Sequence, residues 1–110
     1  MEPRVLVLVR DLMFSGRIGA TARAANVPIT FLRDPAALAN TPGTRLIVDL
    51  GQPGALDAAA AWMQANSGEV VGFVAHVEAD TISRARAAGI DRVLTRGQFV
   101  QVLPELLSAP

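Results

Sequence analysis

Val5-Leu6-Val7-Leu8-Val9 runs without a polar break straight into Arg10-Asp11. A strand with one wet face alternates apolar and polar residues, so a solid branched run of this kind is a strand buried on both faces. Such a strand needs cover above and below, which points to a parallel sheet between two layers of helices. The rest of the chain repeats the same switch between short solid runs and helical spacing. Ser15 to Ala25 is alanine-rich, with Ile18, Ala22 and Ala25 on one helical face, and Pro28 ends it. Ile29-Thr30-Phe31-Leu32 reads as a second strand, and Asp34-Pro35 opens a brief helical piece over Ala36 to Ala39 that closes in the turn Asn40-Thr41-Pro42-Gly43.

Leu46-Ile47-Val48-Asp49-Leu50 is the third strand, Gly51 to Gly54 a loop, and Ala55 to Ala65 a helix with Leu56, Ala59, Ala60 and Met63 at core spacing. Asn66-Ser67-Gly68 stops that helix. Val70 to Val77 is the fourth strand, with Gly72 inside it. Asp80 is placed to cap a helix through Ala88, and Gly89 sits where a C′ glycine belongs. Arg92-Val93-Leu94-Thr95 is the fifth strand. A last helix covers Phe99 to Leu107, with Pro104 predicting a kink or a late start. The order βαβαβαβαβα, without linker or repeat, describes one domain over 1–110. Right-handed crossovers leave it few topologies.

Composition narrows the function. The 110 residues are 51% hydrophobic and their formal net charge is zero, so the chain as a whole is not drawn to nucleic acid or to an anionic membrane. Nothing in the sequence suggests a local basic patch. The absence of cysteine removes disulfides and thiolate chemistry, and a single histidine removes zinc sites built from several imidazoles. Arg10 and Asp11 cut the first apolar run far short of a membrane span or signal peptide, so the cytoplasm is the expected location.

Ligand sites of open parallel sheets lie beyond the carboxyl ends of the strands. Arg10 and Asp11 follow strand one, Asp49 ends strand three, Val74, Ala75 and His76 close strand four, and Thr95 and Arg96 close strand five. Asp49 closes the solid run Leu46-Ile47-Val48, where an unpaired charge is costly to bury. Each of these residues also has a plain reading: Asp49 and Asp11 as caps, Arg10, Arg96 and His76 as ordinary loop residues. Gly-x-Gly-x-x-Gly, the P-loop lysine motif and the Gly-x-Ser-x-Gly elbow are all absent. Trp62, on a helix, is read as packing.

Two stretches carry a family resemblance. Asp49-Leu50-Gly51-Gln52-Pro53-Gly54 resembles the response-regulator receiver segment in which the phosphoacceptor aspartate is followed four residues later by proline. Arg84-Ala85-Arg86-Ala87-Ala88-Gly89-Ile90-Asp91-Arg92-Val93-Leu94-Thr95-Arg96 resembles the receiver segment in which alanine-glycine precedes strand five and lysine ends it. Arg4 to Asp11 resembles the opening strand that ends in paired acids. The resemblance implies a flavodoxin-like, CheY-like, doubly wound five-stranded parallel sheet in the order 2-1-3-4-5.

In that family the aspartate after strand three takes a phosphoryl group, acids after strand one hold Mg²⁺, and a Thr or Ser after strand four and a Lys after strand five contact the phosphoryl oxygens. Carried over, Asp49 matches the acceptor and Asp11 one acid, with Arg10 or Val9 at the other acid position. Val74 stands for the hydroxyl residue, Arg96 for the lysine and Val93 for the aromatic that repacks on switching. Losing an acid beside Arg10 weakens Mg²⁺ binding by Asp11 and Asp49, because this hard cation wants anionic oxygens. The expected arrangement is an internal ion-pair cluster of Asp49, Arg10 and Arg96.

The resemblance implies a stand-alone pseudo-receiver, a non-enzymatic signalling or protein-interaction module without normal phosphorylation switching. Its partner would be a protein, a kinase or a downstream effector. A homodimer through helix four, strand five and helix five is a further expectation, involving Ile82, Arg86, Ile90, Arg92, Phe99 and Val102 unless these serve the core. The alternatives are a phospho-accepting single-domain response regulator using Asp49 and a small-ligand-binding flavodoxin-like domain.

Overall fold

The structure is a computed structural model and describes residues 4–74, 79–90 and 92–107. The elements are β1 (Val5–Leu8), α1 (Leu12–Ala24), β2 (Ile29–Leu32), a 3₁₀ segment (Pro35–Asn40), β3 (Arg45–Asp49), α2 (Ala55–Asn66), β4 (Glu69–Val74), α3 (Ala79–Ala87), β5 (Arg92–Thr95) and α4 (Arg96–Leu106). The strands form one sheet in the order β2-β1-β3-β4-β5. Every pairing is parallel, with Leu8 level with Val48 and Val48 level with Gly72. This is the doubly wound, flavodoxin-like arrangement that the sequence predicts.

Alternate residues of each buried strand serve opposite layers, because successive side chains point to opposite faces. Val5, Val7, Ile47, Val71 and Phe73 pack with Ile18 and Ala22 of α1 and with Phe99, Leu103 and Leu106 of α4. Leu6, Leu8, Leu46, Val48 and Val70 pack with Leu38 of the 3₁₀ segment, Leu56 and Trp62 of α2 and Ala85 of α3. The solid apolar runs are therefore solid because both faces are covered. Ile90 and Phe99 are core residues, so they leave the predicted dimer surface; the core alternative holds for them. Arg92 joins an ion-pair row at the amino edge, where Glu69 meets Arg45 at 3.4 Å and Arg92 at 3.8 Å.

Several boundaries differ from expectation. The helix predicted from Ser15 begins at Leu12, because Asp11 supplies its cap. The helix predicted from Phe99 begins at Arg96, because Thr95 and Gln98 form a reciprocal capping box. Pro104 lies inside α4 and does not delay its start. Asp80 sits in the first turn of α3, not at its cap. Gly89 does close α3, with φ +95° and with the Ile90 and Gly89 amides returning to the carbonyls of Ala85 and Arg86. The fourth strand reaches Val74, and the Ala75, His76 and Val77 of its predicted end lie outside the described residues. Among the described residues no helix is long and apolar enough to cross a membrane.

Trp62 is packing, as read. It is buried, and its Nε1 donates to the Thr41 carbonyl at 2.9 Å, tying α2 to the 3₁₀ connection. Its ring lies so close to Gly68 that an added Cβ would meet Cη2 at 2.5 Å. A rigid indole cannot swing aside as a long aliphatic chain does, so Gly68→Ala is expected to cost about 1–3 kcal/mol. A urea titration checks this; an unchanged midpoint would show that the ring has room to move.

Candidate functional site

A parallel sheet brings all its carboxyl ends to one edge, and here that edge gathers the residues singled out by sequence. β1 ends at Leu8 and its line continues through Val9, which is buried and comes level with Asp49 if the pairing is extended by one residue. The chain then turns out through exposed Arg10 and enters α1 at Asp11. The Oδ1 of Asp11 accepts from the Met13 N–H at 2.9 Å and the Phe14 N–H at 3.1 Å, which fills two of the donors a helix start leaves open. Its Oδ2 faces the Arg96 Nη2 at 3.5 Å. The plain reading of Asp11 as a cap is therefore correct, and the same side chain is also half of an ion pair.

Arg96 opens α4 on the face of the sheet that α1 covers. Its guanidinium carbon lies 4.8 Å from the centre of the Phe14 ring, within cation–π range. Phe14 in turn packs on Phe73 and Phe99, at centroid distances of 5.0 and 5.6 Å, and those two rings stack at 4.6 Å. The cation thus rests on a three-ring platform and turns its charge to Asp11.

The expected cluster of Asp49, Arg10 and Arg96 does not form. β5 lies two strands from β3, and the aromatic platform draws Arg96 toward α1 instead. Arg10 is exposed and makes no ion pair among the described residues. Asp49 is half-buried at the end of the central strand, where its Oδ1 accepts the Gly51 N–H at 2.9 Å. It too has no ion pair among the described residues. Val74 is buried at the end of β4, level with Thr95, and the Thr95 hydroxyl is taken by the Gln98 N–H at 3.2 Å. Val93 is half-buried beside the α2–α3 layer. His76 lies outside the described residues.

Two contributors escape the sequence reading. Gln52 is only 7% exposed, and its Nε2 donates to the carbonyls of Leu8 at 2.9 Å and Asp49 at 3.2 Å, tying the ends of β1 and β3 together. Phe14 is the second; the stripe Ile18, Ala22 extended backward by one turn reaches it. The two buried side-chain atoms without a hydrogen-bond partner among the described residues, Gln52 Oε1 and Arg96 Nε, both belong to this edge.

The donor set does not fit Mg²⁺. That ion needs near-octahedral oxygen ligands and gains most from clustered carboxylates. Among the described residues the strand ends carry two carboxylates, Asp11 and Asp49; Asp11 already spends both oxygens on a cap and an arginine, and a second cation approaching it would meet that guanidinium.

No family model matches the chain, and no curated protein matches it. Ninety solved chains do match it in structure. A response regulator from Thermotoga maritima superposes with a TM-score of 0.74 at 13% identity, over 99% of this chain and 100% of that one. The phosphorylated cyanobacterial phytochrome response regulator RcpA gives 0.80 at 12% identity, over 96% and 91%. A response regulator from Burkholderia pseudomallei, whose structure holds a phosphorylated aspartic acid, a calcium ion and citrate, gives 0.79 at 16% identity, over 96% and 66%. At such identities the likeness establishes the fold, which is that of response-regulator receiver domains.

The geometry separates the two tasks of Asp11. Asp11→Ala is expected to cost about 1 kcal/mol through the lost cap. Arg96→Gln, which breaks a half-exposed pair, is expected to cost less, with a coupling to Asp11 of about 0.2–1 kcal/mol in a double-mutant cycle. Urea midpoints of the four proteins check this. Zero coupling would mean that the ion pair is incidental.

Proposed function

We propose that this chain, with the fold of response-regulator receivers, works as a pseudo-receiver: a non-enzymatic module that signals by binding protein and does not switch by phosphorylation of Asp49. The observation that carries this reading is the Arg96–Asp11 ion pair on its aromatic platform. Phosphoryl transfer to a carboxylate depends on neutralising the charge that gathers on the transferring group, chiefly through a metal ion. Here the one acid beside strand one is neutralised by a side chain. Val74 offers no hydroxyl to follow a phosphoryl group and Val93 no ring to repack. A kinase or a downstream effector is the kind of partner this fold would meet, and the cytoplasm the place.

One observation favours a second reading. Asp49 is free of ion pairs among the described residues, and it stands at the end of the central strand with a single backbone donor on Oδ1. The structure of the Burkholderia regulator, of the same fold, contains a phosphorylated aspartic acid and a calcium ion. In that reading the chain is a phospho-accepting regulator with an unusual pocket.

Incubation with a small phosphodonor and millimolar Mg²⁺, read by intact mass, separates the two. The proposal predicts no phosphoryl adduct on the natural chain. It also predicts an adduct once Arg10→Asp, Val74→Thr and Arg96→Lys together restore the acid, hydroxyl and lysine. A metal-dependent adduct on the natural chain that Asp49→Asn abolishes would establish the second reading instead.

A further inference from the structure

Whole-chain neutrality conceals an uneven distribution of charge. Arg4, Arg10, Arg17, Arg23 and Arg33 are half of the ten basic residues, and between residues 4 and 33 the one acid is Asp11, already paired with Arg96. The fold draws three of these arginines to one groove. It lies between α1 and the outer strand β2, has a volume of about 570 Å³, and has Arg10, Arg23 and Arg33 on its walls with no acidic side chain among the lining residues. None of the three makes an ion pair among the described residues. The sequence-level expectation of no basic patch is thereby corrected: the residues are scattered along the chain, and only the fold assembles them.

The same corner holds the exposed large hydrophobic side chains of the described residues. Leu12 is 82% exposed, Met13 86% and Phe31 47%. Leu12 and Phe31 line the groove, and Met13 adjoins it in the first turn of α1. The groove exists because β2 is an edge strand and α1 is stripped of side chains above it, at Gly16 and Gly19. A Cβ added at Gly19 would lie 3.5 Å from both the Arg23 Nη1 and the Phe31 ring, so the guanidinium folds back along the helix and both side chains border the space that the glycine leaves. Clustered apolar side chains rimmed by unpaired charge of one sign mark a binding surface.

We propose that this α1–β2 groove binds an acidic peptide segment of a partner protein, with a large apolar side chain seated against Phe31 and Leu12 and carboxylates meeting Arg10, Arg23 and Arg33. Charge complementarity chooses the occupant: guanidinium forks pair best with carboxylates, and two or three pairs flanking a buried apolar contact give both register and affinity. The dimensions agree. Leu12 to Gly19 spans about 10 Å of helix, which an extended peptide of three or four residues covers at about 3.3 Å per residue. A single small anion cannot reach arginines at both ends while also filling the apolar floor. The site is separate from Asp49, so it stands whether or not that residue is phosphorylated.

The test is an amide NMR titration of the full chain with a capped acidic peptide, Asp-Glu-Leu-Phe-Asp-Glu. Matched controls replace its acids by Lys and Arg, or its Leu-Phe by Gly-Ser. Saturable shifts are expected at Arg10, Gly16, Gly19, Phe31 and Arg33, weakening as salt rises. Arg23→Glu with Arg33→Glu is expected to weaken binding about tenfold or more, the loss of two exposed pairs with added repulsion. Both positions are exposed, and an otherwise unchanged spectrum verifies the fold. No saturable shift at millimolar peptide, equal binding by the basic control, or indifference to the charge reversal would overturn the proposal. So would equal shifts from citrate or inorganic phosphate at the same concentration, which would identify a small-anion site.

Discussion

Two oxygens of one side chain hold the carboxyl edge of this molecule in its present form. Asp11 Oδ1 starts α1 by accepting two amides, and Oδ2 faces the guanidinium that starts α4. Those helices cover the same face of the sheet, and the rings of Phe14, Phe73 and Phe99 fill the space between them. Neither link is strong alone: a cap is worth about 1 kcal/mol and an exposed pair less. Their joint effect is one of position, because Arg96 is set between aromatic carbon and carboxylate and its charge is committed before any ligand arrives.

That commitment gives this edge a different electrostatic character from a metal-binding one. A receiver site works by gathering negative charge that only a cation relieves. Here the relief is covalently attached, and the neighbouring position is occupied by Arg10 and buried Val9. Asp49 remains in place on the central strand, held by Gly51 and bordered by the Gln52 bridge to β1. On the proposed reading, Asp49 keeps the place of a phosphoacceptor without the charge balance that would make it react. The basic groove beside α1 fits the proposed reading, in which the module acts through what its surface binds.

Much of the fold was legible because parallel sheets write themselves as unbroken apolar runs. Val5–Val9 and Leu46–Val48 need cover on both faces, and the intervening helices supply it. Gly89 was legible because a left-handed helix end favours glycine. The early starts of α1 and α4 were not. Leu12 and Met13 face solvent and so break the apolar stripe, and Gly97 discourages a helix just where the Thr95–Gln98 box begins one. At the site, sequence placed Asp11, Asp49, Val74 and Arg96 at one edge correctly. It paired Arg96 with the wrong acid, because the choice depends on the ring of Phe14, which lies one turn before the apolar stripe that starts at Ile18. The arginine groove was hidden for a similar reason: residues ten or more positions apart meet only once α1 is laid against β2.

The central claim, that a guanidinium has taken the place of a divalent cation, is tested most directly with Mn²⁺, a paramagnetic stand-in for Mg²⁺ that broadens amide signals near its binding site. The account predicts no saturable broadening around Val9–Asp11 and Asp49–Gly51 at millimolar Mn²⁺. Saturable broadening at those amides, competed by Mg²⁺ and lost in Asp49→Asn, would contradict it and return the edge to the metal-dependent class.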